Sequence, residues 1–135
     1  MVHYKLKYFD GRGLAEIVRQ VLVVGGCDFE DVRYSFEEFP KHKEELPFGQ
    51  VPVLEFDGKQ LAQSHTIARY LARKFGYLVG DSLTWVDLLV ADIATWSKKY
   101  PTLYDGFPEM KAHAEKIRSN ATLKKWISSR PDTYF

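Results

Sequence analysis

Three positions in the sequence combine residue types that could bind and activate a small thiol: Tyr8, the Val51-Pro52 dipeptide and the Gln63-Ser64 pair. A tyrosine phenol donates one hydrogen bond, and a donor directed at sulfur stabilises a thiolate over a thiol. Lowering the pKa of a free thiol from about 8.5 to about 6.5 requires about 2.7 kcal/mol, which a short hydrogen bond and local dipoles can supply. A core or rim position is the commoner role of a single tyrosine, so this hypothesis depends on the neighbours of Tyr8.

The proline in "LPFGQVPVLEF" interrupts a stretch that otherwise resembles a strand. Proline cannot donate to a sheet, so Pro52 is expected either at the start of an edge strand or after a cis bond. A cis bond would leave the amide and carbonyl of Val51 free to pair with an extended peptide. Ser64 would then open a helix whose N-terminus accepts a carboxylate. Together these features predict a site for a short acidic peptide.

The elements that must position these residues follow from the periodicity of the first 77 residues. The stretch "HYKLKYF" alternates and predicts a strand, and "DFEDVRYSF" predicts a second one with Phe29 and Tyr34 as its apolar markers. Between them "GRGLAEIVRQVLVVGG" predicts a helix that ends at Gly25-Gly26. "FEEFPKHKEEL" predicts an irregular surface helix. The apolar face of the helix after the first strand comprises Leu14, Ile17, Val18, Val21 and Leu22.

A hairpin and a further helix complete this part of the chain. "VPVLEF" and "KQLA" flank Asp57-Gly58, which has the chemistry of a two-residue primed turn. Ser64 is predicted as the N-cap of the next helix. The order of elements favours a small α/β domain with helices on both faces of a mixed sheet. The buried face of the helix after the hairpin is predicted to contain Ile67, Ala68, Leu71, Ala72 and Phe75.

The remainder of the chain is predicted to be helical. Thr84 and Asp87 have capping-box spacing, and Leu83 and Leu88 have the spacing of a hydrophobic staple. Two shorter helices follow in "FPEMKAHAEKIRS" and "ATLKKWISSR". The predicted buried positions of these three helices are Val86, Leu89, Val90, Ile93 and Trp96, then Met110, Ala114 and Ile117, then Leu123, Trp126 and Ile127.

Composition excludes several classes of function. The 135 residues carry a net charge of +1, which does not favour a nucleic-acid binder or a membrane-surface protein. The N-terminus has no apolar segment typical of a secretory signal, and no apolar run has the length of a membrane span. Cys27 is the only cysteine, so neither an internal disulfide nor a C-x-x-C redox motif exists. We therefore expect a soluble cytoplasmic protein. The histidines lack metal-ligand spacing: His3, His42, His65 and His113.

Four motifs, taken in order, resemble those of the glutathione transferases: "YKLKYFDGRGLAEIVRQ", "LPFGQVPVLEFDG", "QSHTIARYLARKFG" and "LVGDSLTWVDLLVAD". The resemblance spans nearly the whole chain and fits best the sigma class, in the variety abundant in nematodes and near the haematopoietic prostaglandin D synthases. It implies an α/β plus all-α fold. A thioredoxin-like glutathione-binding domain would occupy residues 1–77, and a shortened all-helical domain residues 78–135. It also implies a cis bond before Pro52.

The resemblance implies roles for individual residues. Tyr8 matches the thiol-activating tyrosine, and the segment from Gly49 to Val51 matches the clamp on the glutathione backbone. Gln63 and Ser64 match the grip on the γ-glutamyl carboxylate. Thr84 and Asp87 match a structural folding cap. Glutathione would be the co-substrate, with no metal or separate cofactor. The positions that match glutathione-binding residues are Tyr8, Phe39, Lys43, Gly49, Gln50, Val51, Gln63 and Ser64, among which Lys43 would reach the glycyl carboxylate.

Three departures from the family pattern affect the expected function. Phe39 replaces a tryptophan whose indole N–H reaches glutathione, a loss of about 1 kcal/mol. Leu14 replaces an arginine of the prostaglandin-synthesising relatives, which disfavours prostaglandin D synthase activity. Two long helices that the family carries between "ARKFGY" and "LVGDSLTW" are absent. Splicing or gene-model error, a natural shortened paralogue and an engineered deletion all fit this absence.

The leading hypothesis is a glutathione transferase in which Tyr8 holds the thiolate for attack on a small hydrophobic electrophile. The alternative is a catalytically weak or inactive glutathione-fold module for binding or interaction, which the absent helices favour. A thiol–disulfide oxidoreductase would need a cysteine at Tyr8 or Phe9, and there is none. The family-typical homodimer is in doubt, because the apolar faces at residues 67–75 and 89–96 would lose packing partners. We expect a weak dimer, an altered oligomer or aggregation.

Overall fold

The computed structural model describes residues 2–77, 80–93 and 99–133. Its sheet contains β1 (Tyr4–Phe9), β2 (Phe29–Tyr34), β3 (Val53–Phe56) and β4 (Lys59–Ala62), in the order β2-β1-β3-β4. β1 pairs with β2 in parallel and with β3 antiparallel, and β3 pairs antiparallel with β4. The predicted mixed sheet is therefore confirmed.

Six α-helices accompany this sheet in the described residues: α1 (Glu16–Val24), α2 (Phe39–His42), α3 (Ser64–Phe75), α4 (Trp85–Ile93), α5 (Pro108–Arg118) and α6 (Ala121–Ser129). Single 3₁₀ turns occupy Gly13–Ala15, Lys43–Glu45 and Pro47–Gly49. The predicted irregular surface helix is thus a short α-helix continued by 3₁₀ turns. The α/β region followed by an all-helical region agrees with the predicted fold class. None of the described helices has the length and apolarity that crossing a membrane requires.

The hairpin between β3 and β4 has the predicted two-residue turn. Asp57 and Gly58 have φ angles of 48° and 70°, and they connect the Phe56–Lys59 pair of the ladder. Two successive positive φ angles are typical of a type I′ turn, whose twist matches that of the strands. The turn therefore fixes the β3–β4 register, in which Ala62 pairs with Val53 at the end of the hairpin opposite the turn.

The core lies between one face of the sheet and the helices α1 and α3. Tyr4, Leu6 and Tyr8 alternate with less buried neighbours along β1, as their period of two predicted. The predicted α3 face is confirmed at Ile67 and Leu71, which are 0% exposed. Its burial within the chain contradicts our expectation that this face would lose its packing partner. The other half of that expectation, residues 89–96, extends into residues 94–98, which lie outside the described part of the chain.

Helix α1 differs from its predicted amphipathic form. Leu14 is 59% exposed, because the chain enters through a 3₁₀ turn and the α-helix begins only at Glu16. The predicted burial of Leu14 is wrong. From Glu16 to Leu22 all residues are buried, since the sheet, α3, α4 and α6 enclose the helix. This enclosure includes two charged side chains, Glu16 and Arg19, which are each 0% exposed.

The start of α4 has the predicted capping box. The backbone N–H and the hydroxyl of Thr84 both donate to the Asp87 carboxylate, at 2.8 and 2.9 Å. Leu88 is 0% exposed, and Leu83 packs against the same core, as the staple predicted. Val86 is 47% exposed, so its predicted burial is wrong. The helix instead turns Leu88 and Ala91 inward.

The two last helices bury fewer positions than predicted. Ala114 in α5 and Leu123 in α6 are buried, whereas Met110 is 44% exposed, contrary to prediction. Ile117, Trp126 and Ile127 are partly buried and pack against the core cluster. The predicted positions Trp96 and the side chain of Ile93 lie outside what the structure describes.

Candidate functional site

The register of the sheet brings the three predicted stretches to one edge. Lys7 of β1 is paired with Val53 of β3, which is paired with Ala62 of β4. Tyr8 follows Lys7, Pro52 precedes Val53 and Gln63 follows Ala62, so all three lie one step beyond that row. Strands are about 4.8 Å apart, so two spacings separate Tyr8 from Gln63 by about 10 Å. That is about the length of three extended residues.

Tyr8 lies at this edge with its phenol held in place. Its side chain is 7% exposed, and its hydroxyl oxygen accepts a hydrogen bond from the Leu14 N–H at 3.1 Å. The bond uses a lone pair of the oxygen, so the phenol proton stays available for donation. A phenol whose oxygen accepts one bond is also a better donor in a second, because hydrogen bonds in a chain polarise one another. Tyr8 is thereby prepared to donate.

Gly13 allows the loop after β1 to close over this phenol. A Cβ atom at Gly13 would lie 2.5 Å from the Tyr8 hydroxyl oxygen, and the φ angle of Gly13 is +37°. Both facts favour glycine, which has no side chain to collide and reaches positive φ at little cost. The "GRG" pattern after a strand was available in the sequence, but the approach to Tyr8 is visible only in three dimensions.

The backbone of residues 50 and 51, just before Pro52, lies beyond the end of the β1–β3 ladder. The bond before Pro52 is cis, as predicted. Gln50 is extended, with φ −130° and ψ 157°, and the pairing of β3 with β1 begins three residues later, at Val53. Val51 is partly buried and packs against the core cluster. An extended peptide could therefore lie beside residues 50 and 51 and continue the ladder.

The start of α3 differs by one residue from prediction. Gln63, not Ser64, is the N-cap, because the Gln63 carbonyl accepts the Ile67 N–H at 2.9 Å. Ser64 is the first helical residue, so its predicted N-cap position is wrong. Gln63 has φ 74° and ψ 112°, a conformation that costs about 1–3 kcal/mol in a non-glycine residue and clusters at ligand sites. The first N–H groups of α3 have no intrahelical partner and form the positive end of the helix dipole.

Phe39, Lys43 and Gly49 adjoin Tyr8 through a series of contacts. The ring centres of Tyr8 and Phe9 are 5.5 Å apart, and the ring centres of Phe9 and Phe39 are 4.7 Å apart. The Lys43 Nζ atom lies 6.0 Å from the centre of the Phe39 ring. The Lys43 Cγ atom lies 3.5 Å from where a Cβ of Gly49 would be. The register thus places Tyr8, Pro52 and Gln63 at one edge of the sheet, and Phe39, Lys43 and Gly49 connect to Tyr8 through neighbouring side chains.

Cys27, the potential metal ligands and the hairpin groove are alternative sites in the described part of the chain, and none of them has the features of a reactive centre. Burial raises the pKa of the Cys27 thiol, which disfavours a reactive thiolate there. Within residues 2–77, 80–93 and 99–133, no three His, Cys, Asp or Glu residues group so as to hold a metal ion. An open groove of about 440 Å³ lies at the hairpin end of the strands, away from Tyr8, and is lined by polar residues such as Lys5, Glu55 and Lys59.

Two charged residues beside the loop that covers Tyr8 were not predicted from the sequence: Glu16 and Arg19. Their side chains form a buried ion pair, with Arg19 Nη1 at 3.3 Å from Glu16 Oε2. The available indication was a pair of opposite charges three residues apart in a helix that, apart from Gln20, is otherwise apolar. Buried charges of this kind need partners on several sides, and they are uncommon unless paired.

Two family models match the chain. The glutathione S-transferase N-terminal domain matches residues 4–73, and the glutathione S-transferase C-terminal domain matches residues 58–130. These matches agree with a thioredoxin-like sheet domain followed by a helical domain.

Individual relatives give the same result. Probable glutathione S-transferase 7 of Caenorhabditis elegans is 40% identical over 206 aligned residues, covering 100% of each chain. The structure of a Nu-class glutathione S-transferase from Haemonchus contortus is 45% identical with a TM-score of 0.95, covering 100% of each chain. The monomeric Na-GST-3 of the hookworm Necator americanus is 42% identical with a TM-score of 0.95, covering 98% of this chain and 100% of its own. The chain therefore belongs to the glutathione S-transferase family.

Proposed function

We propose that the protein conjugates the thiol of reduced glutathione to small hydrophobic electrophiles, a detoxification reaction. The observation that carries this proposal is the phenol of Tyr8, whose oxygen accepts from the Leu14 N–H at 3.1 Å, about 10 Å along the sheet edge from Gln63. The relatives favour an enzyme over the alternative of a module that only binds. Glutathione is the co-substrate in this family, and the reaction needs no metal or prosthetic group.

Tyr8 is the proposed catalytic residue. Its O–H donates to the sulfur of bound glutathione and stabilises the thiolate relative to the thiol. The thiolate then attacks an electrophilic carbon, so a carbon–sulfur bond forms while the leaving group departs with its electron pair. The proton of the thiol passes to solvent before this step. A hydrogen bond to the thiolate is stronger where water is excluded, because the local dielectric constant is lower. Tyr8 meets this condition, since it is only 7% exposed.

The other site residues would hold the tripeptide along the edge. The backbone of Gly49, Gln50 and Val51 would pair with the cysteinyl portion as an added strand. Gln63 and Ser64, with the open N-terminus of α3, would hold the γ-glutamyl carboxylate. The spacing of about 10 Å between Tyr8 and Gln63 supports this assignment, because it accommodates a cysteine and a γ-glutamyl group.

Lys43 and Phe39 would complete the glycyl end of the site. Lys43 is exposed, and its Nζ atom lies over the Phe39 ring at 6.0 Å, so the ammonium group can reach a carboxylate in solvent. Phe39 packs against Phe9 and provides a wall without an N–H donor. We therefore propose weaker glutathione binding than a tryptophan would give, by about 1 kcal/mol.

We also propose that the helical domain is shortened and begins after Tyr77. Helix α3 ends at Phe75, and α4 begins at Trp85. The alignment with the C. elegans relative extends over 206 positions, 71 more than the 135 residues of this chain, which supports an internal gap. Nematode relatives support the nematode variety of the family, and the sigma class is the proposed class. The exposed Leu14 supplies no cation where prostaglandin-synthesising relatives carry one, so we expect no specific prostaglandin D synthase activity.

A weak homodimer, an altered oligomer or aggregation is the proposed assembly, in the cytoplasm. The monomeric state named for Na-GST-3 supports the view that this family tolerates weak association. Sedimentation at low protein concentration tests the proposal. A tight dimer would contradict it.

Turnover with an activated aryl halide tests the proposed reaction. Purified protein, glutathione and the halide are incubated together, and the thioether is identified by its mass while glutathione affinity is measured by calorimetry. We expect thioether formation well above the rate without protein. Glutathione binding without any thioether would instead support the binding module.

A further inference from the structure

Buried charges connect the last helix to the loop that covers Tyr8. Glu16 and Arg19 lie one turn apart on α1, and both residues are 0% exposed. A buried ion pair contributes little by itself, and it persists when further hydrogen bonds satisfy its remaining atoms. The partners of Glu16 and Arg19 therefore indicate what this pair holds together.

Arg19 holds the loop after β1. Its Nη1 atom donates to the carbonyl of Gly11 at 2.7 Å and to that of Arg12 at 3.3 Å, and its Nε atom donates to Asp31 of β2 at 3.1 Å. The guanidinium carbon also lies 5.9 Å from the centre of the Tyr8 ring, within cation–π range. Arg19 therefore contacts both the phenol ring and the loop that binds the phenol oxygen.

Glu16 ties this arginine to the C-terminal helix. Its Oε1 atom accepts from the Trp126 indole N–H at 2.8 Å and from Arg130 Nη1 at 2.7 Å. Trp126 belongs to α6, and Arg130 is the C-cap of that helix. Polar contacts thus run from α6 through Glu16 and Arg19 to the carbonyls of residues 11 and 12. Two residues later in the same loop, the Leu14 N–H donates to Tyr8.

The loop needs such an anchor because of its composition. It contains two glycines, Gly11 and Gly13, which have more backbone freedom than any other residue. The planar guanidinium group keeps Nε on Asp31 while Nη1 donates to both loop carbonyls, so it fixes the loop relative to β2 in a geometry that a single ammonium nitrogen could not reproduce. A loop with a fixed position holds the Leu14 N–H at a fixed place above Tyr8.

We propose that Arg19 is a positioning residue for Tyr8, held in turn by Glu16 and helix α6. The helical domain thereby sets the orientation of a phenol that belongs to the sheet domain. The structural part of this inference is independent of the reaction. Its kinetic consequence rests on the proposed transferase function.

Amide hydrogen exchange at Leu14 tests the structural part in the full chain without substrate. In Arg19→Lys the charge is retained and the fixed pair of donors, Nε on Asp31 and Nη1 on the loop, is lost, so we expect exchange of the Leu14 N–H to accelerate at least tenfold. Lys7→Gln is the matched control, because it removes a partly buried cation, paired with Glu55 at 2.6 Å, one residue before Tyr8. We expect unchanged Leu14 exchange in that variant.

The pH profile of kcat/KM tests the kinetic part. We expect Arg19→Lys to shift the apparent pKa of the bound thiol upward by about one unit, with loss of kcat at neutral pH and partial recovery at alkaline pH. The KM for glutathione should change less than kcat. A residue that only stabilises the fold would lower the folded fraction and leave this profile in place.

The outcomes separate the inference from the proposed function. If the wild-type protein forms no thioether, the proposed function fails, and Leu14 exchange still decides the structural part. If Arg19→Lys does not fold, the nearly isosteric Glu16→Gln variant replaces it, since it disturbs the same contacts. Leu14 exchange that stays at the wild-type rate in every folded variant of Arg19 and Glu16 would overturn the inference.

Discussion

Replacement of Gly13 by alanine should damage activity far more than stability alone explains. The added Cβ atom would lie 2.5 Å from the Tyr8 hydroxyl oxygen, and the contact must open by about 0.9 Å to reach the 3.4 Å of ordinary contact. The Tyr8 ring must move to relieve this clash, because hydrogen bonds from Arg19 to the carbonyls of Gly11 and Arg12 hold the loop in place. A displacement of about 1 Å in a reacting group can cost about 100-fold in rate.

Gly26→Ala is the matched control for this substitution. Gly26 also has a positive φ angle, +67°, but a Cβ there would meet nothing within 4 Å. Both variants incur the cost of a left-handed L-residue, about 1–2 kcal/mol. Only Gly13→Ala adds the collision, so a difference between the two isolates the effect on Tyr8.

The assay combines urea unfolding with steady-state conjugation kinetics. We expect both variants to lose about 1–2 kcal/mol of unfolding free energy, with about 1–3 kcal/mol more for Gly13→Ala through overpacking. We expect kcat/KM to fall about 100-fold in Gly13→Ala and to stay near wild type in Gly26→Ala. Equal kcat/KM values for the two folded variants would refute the reasoning, because the phenol position would then not matter.

Three further predictions concern the cap, the glycyl end and the helix connection. Asp87→Asn should lower the unfolding free energy by about 1 kcal/mol at neutral pH, since Asp87 accepts two hydrogen bonds from Thr84. Phe39→Trp should tighten glutathione binding about fivefold in calorimetry, because the indole adds a donor worth about 1 kcal/mol. Trp126→Phe should lower the unfolding free energy by about 1.5–3 kcal/mol in urea, because it removes a hydrogen bond to the buried carboxylate of Glu16.

The pH dependence of the Asp87 variant follows from its environment. Burial alone would raise the pKa of Asp87, but hydrogen bonds from Thr84 and from His113 outweigh burial and lower it below its usual 3.8. A carboxyl with a lowered folded pKa stabilises the protein above the unfolded pKa and loses that effect as pH falls through the folded pKa. The difference between wild type and Asp87→Asn should therefore shrink as the pH falls below the unfolded pKa and vanish below the lowered folded pKa of Asp87. A difference that persists in acid would contradict this account.

The other two predictions have their own controls. A Phe39→Leu variant should bind glutathione no more tightly than wild type, and equal gains in both variants would remove the donor explanation. Ser128→Ala, which removes an exposed hydroxyl bond to the Lys125 carbonyl, should leave stability nearly unchanged. A loss in Ser128→Ala as large as in Trp126→Phe would show that α6 responds to any substitution.

Local patterns predicted the elements because each carries its own physical cause. Alternation predicted β1, where Tyr4 and Leu6 are buried as expected. The Asp57-Gly58 pair predicted its turn, because both positions require positive φ. The errors concerned the first residues of helices, where the N-terminal geometry differed from that of a regular α-helix with a serine N-cap. A 3₁₀ turn displaced Leu14 outward, and Gln63 replaced Ser64 as N-cap.

The residues of the candidate site could be predicted from the sequence, but the contacts that hold Tyr8 and its covering loop in place could not. Tyr8 and Pro52 stand out by type and position, and register alone then places them at one edge. The contact of Gly13 with Tyr8 depends on how the loop folds back, which no short pattern encodes. The partners of Arg19 come from three separate elements, so their convergence required the assembled fold.

Titration of the bound thiol tests the central claim most directly. Glutathione is added to the wild-type protein and to Tyr8→Phe across pH, and thiolate formation is followed by ultraviolet difference absorbance. Tyr8→Phe removes only the hydroxyl that accepts from Leu14 and would donate to sulfur. We expect bound thiolate well below the free thiol pKa of about 8.5 in the wild type, and a pKa near the free value in the variant. A folded wild-type protein that binds glutathione without a lowered thiol pKa, or a variant with the same lowered pKa, would contradict the role of Tyr8.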